Sequence, residues 1–380
     1  MNLPNEGESL PPGDQPGAEI KGPRRFGDLQ KTITMAQIAK AAGVSQGAIS
    51  SLLNDRDYGI RVSEKTRERV FKVCREMGYI PNDLRAVVRM YPEMGDFCLL
   101  ISTRWSAGMS EPEISRIASA TLEASDHRSR SLTIGRYDEK TDYSGDPEQL
   151  PHPISTGVAS KFVLFGEPNA SLIQALLRRG SPVVSLGYDV PLAGVLSLTP
   201  DYELASRLAV EHLFKLGHKN LGIISGPFGA TEPKLIELNH GVRIACERFG
   251  ITLDAQNIVY GDLTFQAGVA AFGILNSRQP APSAVFCMSD AAAAGVLAEA
   301  QLRGRRVPED FSVIGCGDDP VGHFTLPALT TVHIPLEEIA AQGIDAVEAL
   351  VNEGVIGEAK KQLFAVRLAD RKSCASLKGE

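Results

Sequence analysis

Between Ile33 and Met77, apolar side chains recur at three- and four-residue spacing in three short bursts, each introduced by a small polar residue. Met35, Ile38, Ala39 and Ala42 form the first, and Thr34 stands before them with Gln37 three positions on, the arrangement of a capping box. In the tight link Ala42-Gly43-Val44, Gly43 can take a positive φ without steric cost. Ser45 opens the second burst, Gln46–Leu53, with Ile49, Leu52 and Leu53 predicted to point inward. Ser63 opens the third, Glu64–Met77, with Val70, Val73 and Met77 on one face and Gly78 as its stop. Two short helices joined by a small-residue turn and completed by a third make a helix-turn-helix unit. The same pattern also suits a three-helix interaction module.

Beyond Phe97 the rhythm changes. Short apolar runs without strict alternation (Phe97–Ile101, Lys161–Phe165, Pro182–Leu186, Leu221–Ile224, Ala284–Met288 and Phe311–Gly315) predict strands buried on both faces. Helical stretches intervene at Glu113–Asp126, Asn169–Gly180, Asp201–Leu216, Leu235–Phe249, Phe265–Ser277 and Asp290–Arg303. The fold class that follows is α/β, with doubly wound parallel sheets behind an N-terminal three-helix domain.

Charge sharpens this division. The 380-residue chain carries a net −7, yet residues 31–89 hold eleven Lys and Arg against six Asp and Glu, while residues 90–380 hold 25 against 35. A basic segment tethered to an acidic body suits a nucleic-acid reader joined to a sensor. Residues 1–30 are rich in Pro and Gly, have no apolar stretch, and are expected to be a disordered tail rather than a secretory signal. No apolar run is long enough to cross a membrane. With no leader, the compartment is expected to be the cytoplasm, and the six dispersed cysteines to be buried thiols rather than disulfides or zinc ligands.

The reader segment resembles the LacI/GalR (lactose-repressor) family of bacterial regulators. The resemblance is carried by Thr32-Ile-Thr-Met-Ala-Gln-Ile-Ala-Lys-Ala-Ala-Gly-Val-Ser45, Asn54, Val62-Ser-Glu-Lys-Thr-Arg-Glu-Arg-Val70 and Gly78-Tyr-Ile-Pro-Asn82. A few extra residues between Asn54 and Val62 interrupt it. It continues in Leu208-Ala-Val-Glu-His-Leu213, Leu216-Gly-His218, Ser289-Asp290, Val307-Pro-Glu-Asp-Phe-Ser-Val-Ile-Gly315 and Leu329-Thr-Thr-Val332. The implied architecture is a helix-turn-helix domain at 31–79 and a hinge helix with linker at 80–95. A two-lobed, periplasmic-binding-protein-like body follows at 96–380, with lobes at about 96–192 plus 333–352 and about 193–332 plus 353–380.

By the same resemblance, the second helix enters the major groove, where base edges distinguish all four pairs. Gln46, Gly47, Ser50 and Ser51 form its outer face. Gln46 suits adenine, whereas relatives often carry a base-reading arginine where Ser51 stands. Thr34, Ser45, Asn54 and Thr66 match phosphate-contacting positions, which set register without reading sequence. Pro81–Arg89 matches the hinge helix, with Asn82, Arg85, Val88 and Arg89 toward the minor groove and Val88 in the place of a wedging leucine. An ordinary linker is the alternative.

The cleft between the lobes is the expected ligand site. Thr103, Arg104 and Trp105 follow the first strand, and Trp105 suits either a sugar-stacking platform or a loop anchor. Asp290 suits a hydroxyl acceptor or a helix cap; Tyr188 and Asp318 stand beside two further aligned positions. Departures are several: Leu238 replaces a usual arginine, Ser289 stands where Asn is common, and Gly317 and Gly187 replace aspartates. The effector is therefore expected to be a sugar or related metabolite of unusual kind, or absent.

Together these features predict a homodimeric, sequence-specific transcriptional regulator, a repressor by family habit, acting on a double-stranded operator, with no cofactor, no metal and no membrane. The alternatives are a cytoplasmic solute-binding or sensor protein of the same fold, which leaves residues 31–89 unused, and an α/β enzyme. The chain contains no P-loop, no G-x-S-x-G elbow, no dinucleotide fingerprint and no metal-spaced His/Cys cluster, so no catalytic residue is predicted.

Overall fold

The computed structural model of the protein describes residues 33–54, 62–79, 95–104, 108–145, 149–157, 159–353 and 357–377. The chain divides after Pro81 into two units. The first holds α1 (Met35–Ala42), α2 (Gln46–Asn54) and α3 (Glu64–Met77). Thr34 and Gln37 cap α1 reciprocally, and Gly43 ends it at φ 63° in the left-handed region. Ile38, Ile49, Leu53, Val70 and Cys74 fill the small core. Val73 and Met77, expected inward, are half-buried. Cys74 takes the inner position because it lies one turn beyond Val70, on the same stripe of α3.

The second unit contains two six-stranded sheets. The first uses β1 (Asp96–Ser102), β2 (Leu132–Tyr137), β3 (Ala159–Phe165), β4 (Val183–Leu186), β5 (Val195–Pro200) and β11 (Lys360–Phe364), all parallel in the order β11-β5-β4-β3-β1-β2. The second uses β6 (Leu221–Ser225), β7 (Ile258–Tyr260), β8 (Ala284–Cys287), β9 (Ser312–Gly317), β10 (Thr330–His333) and β12 (Arg367–Ala369) in the order β12-β10-β9-β8-β6-β7. Only β12 runs antiparallel there.

Helices cover these sheets, as buried parallel strands require. In the first lobe they are α4 (Pro112–Asp126), α5 (His152–Ser155), α6 (Ala170–Arg178) and α12 (Leu336–Glu353). In the second they are α7 (Tyr202–Lys215), α8 (Pro233–Phe249), α9 (Phe265–Asn276), α10 (Asp290–Leu302) and α11 (Pro320–Phe324). Among the described residues no helix is long and apolar enough to cross a membrane.

The lobe boundaries expected from sequence need correction at two places. Residues 193–200, expected in the second lobe, belong to the first, where β5 pairs with β4, Val183 opposite Val195. Lys360–Phe364, also expected in the second lobe, form β11 of the first, where β11 pairs with β5, Lys360 opposite Leu196. The chain therefore crosses between lobes after Pro200, near Ile334, and between Phe364 and Arg367. The hydrogen-bond partner of an edge strand such as Lys360–Phe364, four of whose five residues are exposed, is decided by tertiary pairing and leaves no apolar signature. One buried cluster runs across the junction, joining Phe165, Leu186 and Tyr188 to Tyr202, Leu235 and Cys316.

Candidate functional site

Helix α2 presents two chemically distinct faces. Ala48, Ile49, Leu52 and Leu53 are buried, whereas Gln46 and Gly47 are exposed and Ser50 and Ser51 half-buried. Ser45 Oγ accepts the Ala48 amide at 3.1 Å, fixing the start of the helix. Its hydroxyl, like that of Thr34, is thus engaged as a cap; Thr34 Oγ1 accepts the Gln37 amide at 3.3 Å. Thr66 donates its amide to Ser63 Oγ, and the two hydroxyls lie 2.9 Å apart. Asn54 closes α2. The hinge residues Asn82, Arg85, Val88 and Arg89 lie outside the described residues, as do the tail and Asp55–Arg61.

In the second unit, residues just past strands of the first sheet meet the start of α8 across the space between the two lobes. Thr103 and Arg104 are exposed at the end of β1, and Trp105 lies outside the described residues. Arg104 donates to Glu167 at the end of β3 and, across the cleft, pairs with Glu232 at 3.0 Å. Tyr188 is buried, and its hydroxyl stands 2.8 Å from the other oxygen of Glu232. Glu232 sits at the N-terminus of α8 but makes no capping bond with its side chain.

Two first turns of helix carry further charges, at positions where no site residue is expected from the sequence. Glu113, in the first turn of α4, is ion-paired with Lys234, in the first turn of α8. Lys234 also lies over the Tyr202 ring, 5.6 Å from its centroid. Burial alone would lower the lysine pKa, but Glu113, Tyr202 and Glu232 together hold it above the ordinary value. Arg116, one turn along α4, donates five hydrogen bonds: to Gly317 O, Asp319 Oδ1, Ile334 O and both oxygens of Glu337. A signal existed in the sequence, since Lys234 follows Pro233 at a helix start, where the macrodipole disfavours a cation.

The capping role expected as one alternative for Asp290 falls to its neighbour. Ser289, not Asp290, caps α10, its Oγ accepting the Ala292 amide. Asp290 is fully buried; Oδ1 accepts from Thr331 Oγ1 at 2.6 Å and Oδ2 from the Asp319 amide at 2.7 Å. Burial, followed by the nearby Asp319 charge, pushes its pKa up to about 7. It is a strut between α10, strand β10 and the turn that follows β9. Asp318, also expected in the cleft, is bound by His333 at the end of β10 and by Arg371 of the C-terminal segment; partial burial raises its pKa, but these two partners outweigh it and hold the carboxyl below the usual range. Its φ of 60° is a left-handed conformation that short polar residues tolerate.

The departures from the family pattern have local causes. Leu238 is wholly buried among apolar neighbours. Gly317 has φ 144°, and a Cβ there would lie 3.1 Å from an Asp319 oxygen. Gly187 has φ 78°, and its Cβ would lie 3.3 Å from the Phe165 ring. All six cysteines are free, five of them buried, and among the described residues no cluster of His, Cys, Asp and Glu could hold a metal.

Known proteins share these features along most of the chain. The profile of "Bacterial regulatory proteins, lacI family" matches residues 34–82, and that of a periplasmic-binding-protein-like domain matches residues 210–374. The transcriptional repressor CytR of Escherichia coli is 30% identical over 82% of this chain and 87% of its own length. The regulator DegA of Bacillus subtilis is 28% identical over 81% and 88%. Among solved structures, a CelR–cellobiose complex superposes with a TM-score of 0.63 at 28% identity, covering 90% of this chain and 99% of that one. A lac repressor dimer bound to operator shares the fold, with the same score at 22% identity and coverage of 90% and 99%. The split into a three-helix reader and a paired α/β body, together with a relative matched over four-fifths of the sequence, places this chain in the LacI family of bacterial regulatory proteins.

Proposed function

We propose that the protein is a cytoplasmic, homodimeric transcriptional repressor that binds a near-palindromic operator through α2 and responds to a small molecule in the cleft of its second unit. The observation that carries the DNA-binding part is the amphipathic division of α2. One side is locked into the core by Ile49 and Leu53, and the other offers Gln46, Gly47 and two serines on a rigid element in an otherwise basic segment. Gln46 is the base-reading residue, because a primary amide can pair bidentately with adenine. Ser50 and Ser51 add short contacts, while Thr34, Ser45, Asn54 and Thr66 position the backbone. The hinge segment, with Asn82, Arg85, Val88 and Arg89, would add minor-groove contacts between the two readers.

Exposed apolar side chains support self-association of the body. Leu122 and Ile134 lie on α4 and β2, and Leu302, Phe324 and Leu326 stand more than four-fifths exposed on the second lobe. Repression is favoured by the kinship with CytR, and a sugar or related metabolite by the kinship with a protein solved with cellobiose. A ligand shifts operator affinity only to the extent that it prefers one lobe arrangement over the other. Arg104 and Thr103 at the end of β1 are the effector contacts this reading retains, with Tyr188 beside them.

Selection of bound sites from random DNA tests the proposal. The whole chain should enrich a sequence with two-fold symmetry, with affinity falling steeply as salt rises. Gln46→Ala should relax the preference at one base position per half-site by about 1–3 kcal/mol. No enrichment, or enrichment unchanged when Ile49→Asp disrupts the reader core, would overturn it.

A further inference from the structure

The charges in the cleft are arranged for each other. Each lobe contributes to every contact that closes it: Glu113 from α4 to Lys234 from α8, and Arg104 and Tyr188 from the first lobe to the two oxygens of Glu232 from the second. The side chains of Glu232 and Lys234 keep only 11% and 12% of their exposure, so neither is a loose surface pair. Lys234 occupies a place that helix α8 by itself disfavours, at the positive end of the dipole and out of water. A residue that breaks a local rule is retained where tertiary structure compensates it, and Glu113 supplies the compensation from the opposite lobe. Arg116 adds a third tie, joining α4 to Asp319 and to the carbonyl of Gly317 at the end of β9.

We propose that this cleft is latched by the chain's own side chains, with Lys234–Glu113 and Arg104–Glu232–Tyr188 holding the lobes together without a small molecule, so that an effector acts by breaking these pairs rather than by bridging the lobes. The inference rests on reading the cleft as the effector site and specifies how that site is regulated. A neutral polyol brings hydroxyls but no charge, and replacing a buried ion pair with hydroxyl hydrogen bonds leaves the freed charges unpaired. Neutral sugars therefore do not tighten an already closed cleft. The DNA-binding state is set by the latch, and among sugars and related metabolites the effector is one that carries a charge able to compete with it, such as a phosphorylated or acidic sugar.

The test is an interlobe distance in the full-length protein, read by spin labels at exposed Gln174 on α6 and Gln266 on α9, alongside an operator titration. Ligand-free protein should give one short distance distribution that saturating ribose or cellobiose leaves unchanged. Lys234→Met combined with Glu232→Gln should move at least half of the population to longer distances, and Lys234→Arg, which keeps the charge, should not. A long or broad distribution in the ligand-free protein that shortens on adding either sugar would overturn the latch, as would an unchanged short distance in the double variant. If the double variant does not fold, the unmutated protein with and without sugar decides alone. Absence of operator binding by a protein with closed lobes would count against the proposed function and leave the latch standing.

Discussion

Thr331 donates its hydroxyl to a fully buried carboxylate, Asp290, at 2.6 Å, and that bond ties β10 to the first turn of α10. The carboxylate faces Asp319 and Asp318 as well as the Cys287 thiol, and burial with Asp319 lifts its pKa from 3.8 to about 7. The sign follows from proton binding. Between the unfolded value and about 7, the folded state holds a proton that the unfolded chain has lost, so this group's stabilisation is complete below about pH 4 and gone above about pH 7. Asp290→Asn keeps an acceptor for the Asp319 amide and removes the titration. The difference in unfolding free energy between variant and parent should therefore swing in favour of the variant as pH rises from 5 to 8, by at most about 1.4 kcal/mol per pH unit. Denaturant melts at several pH values check this, and a difference independent of pH would refute it. His218, whose pKa burial lowers, contributes the opposite slope to both proteins and cancels in the difference.

Helices α9 and α10 touch through glycine. A Cβ on Gly268 would overlap the backbone carbonyl of Ala292, and one on Gly295 would overlap that of Phe265. Backbone cannot yield as a flexible side chain can, so Gly268→Ala and Gly295→Ala should each destabilise the protein by about 1–3 kcal/mol or more, despite the better helix propensity of alanine. The pair should be less than additive, because separating the helices for one accommodates the other. Thermal unfolding of the two singles and the double measures this; an alanine that stabilises would show that the helices are not held at this spacing.

The cap of α1 is worth testing through the reader it starts. Thr34→Ala removes one half of a reciprocal pair, in which the Thr34 amide also donates to Gln37 Oε1 at 2.8 Å. The expected cost is about 1 kcal/mol. In a domain with so small a core, that loss should appear as weaker operator binding whose sequence preference is intact. Altered base preference would mean that Thr34 reads DNA directly rather than setting the frame of α1.

Much of this organisation is written in the order of residues. The bursts from Met35 to Met77 with their polar openers fix three helices, because caps and apolar stripes act over four residues and need no distant partner. Six apolar runs likewise fix six of the inner strands, since a strand covered on both faces must be apolar throughout. Strands β2, β5, β7, β10, β11 and β12 escaped that signal. Ile134 in β2 remains almost half exposed, and β11 reads as a charged surface segment. Their place depends on a neighbour's unpaired backbone, which the sequence does not display.

The cleft divides in the same way. Arg104 and Tyr188 lie where the sequence expected them, just past the ends of β1 and β4, because strand ends follow from the apolar runs that precede them. Asp290 looked like a cap or a ligand contact, and only the tertiary structure brings Thr331 and the Asp319 amide, 41 and 29 residues away, onto its two oxygens. Glu113 and Lys234 are 121 positions apart, each unremarkable alone at the start of a helix. Short-range preferences settle which segments are helix and which are strand. Charge pairing in a low-dielectric interior depends on separations of a few ångströms, and only the folded crossing of two lobes sets those.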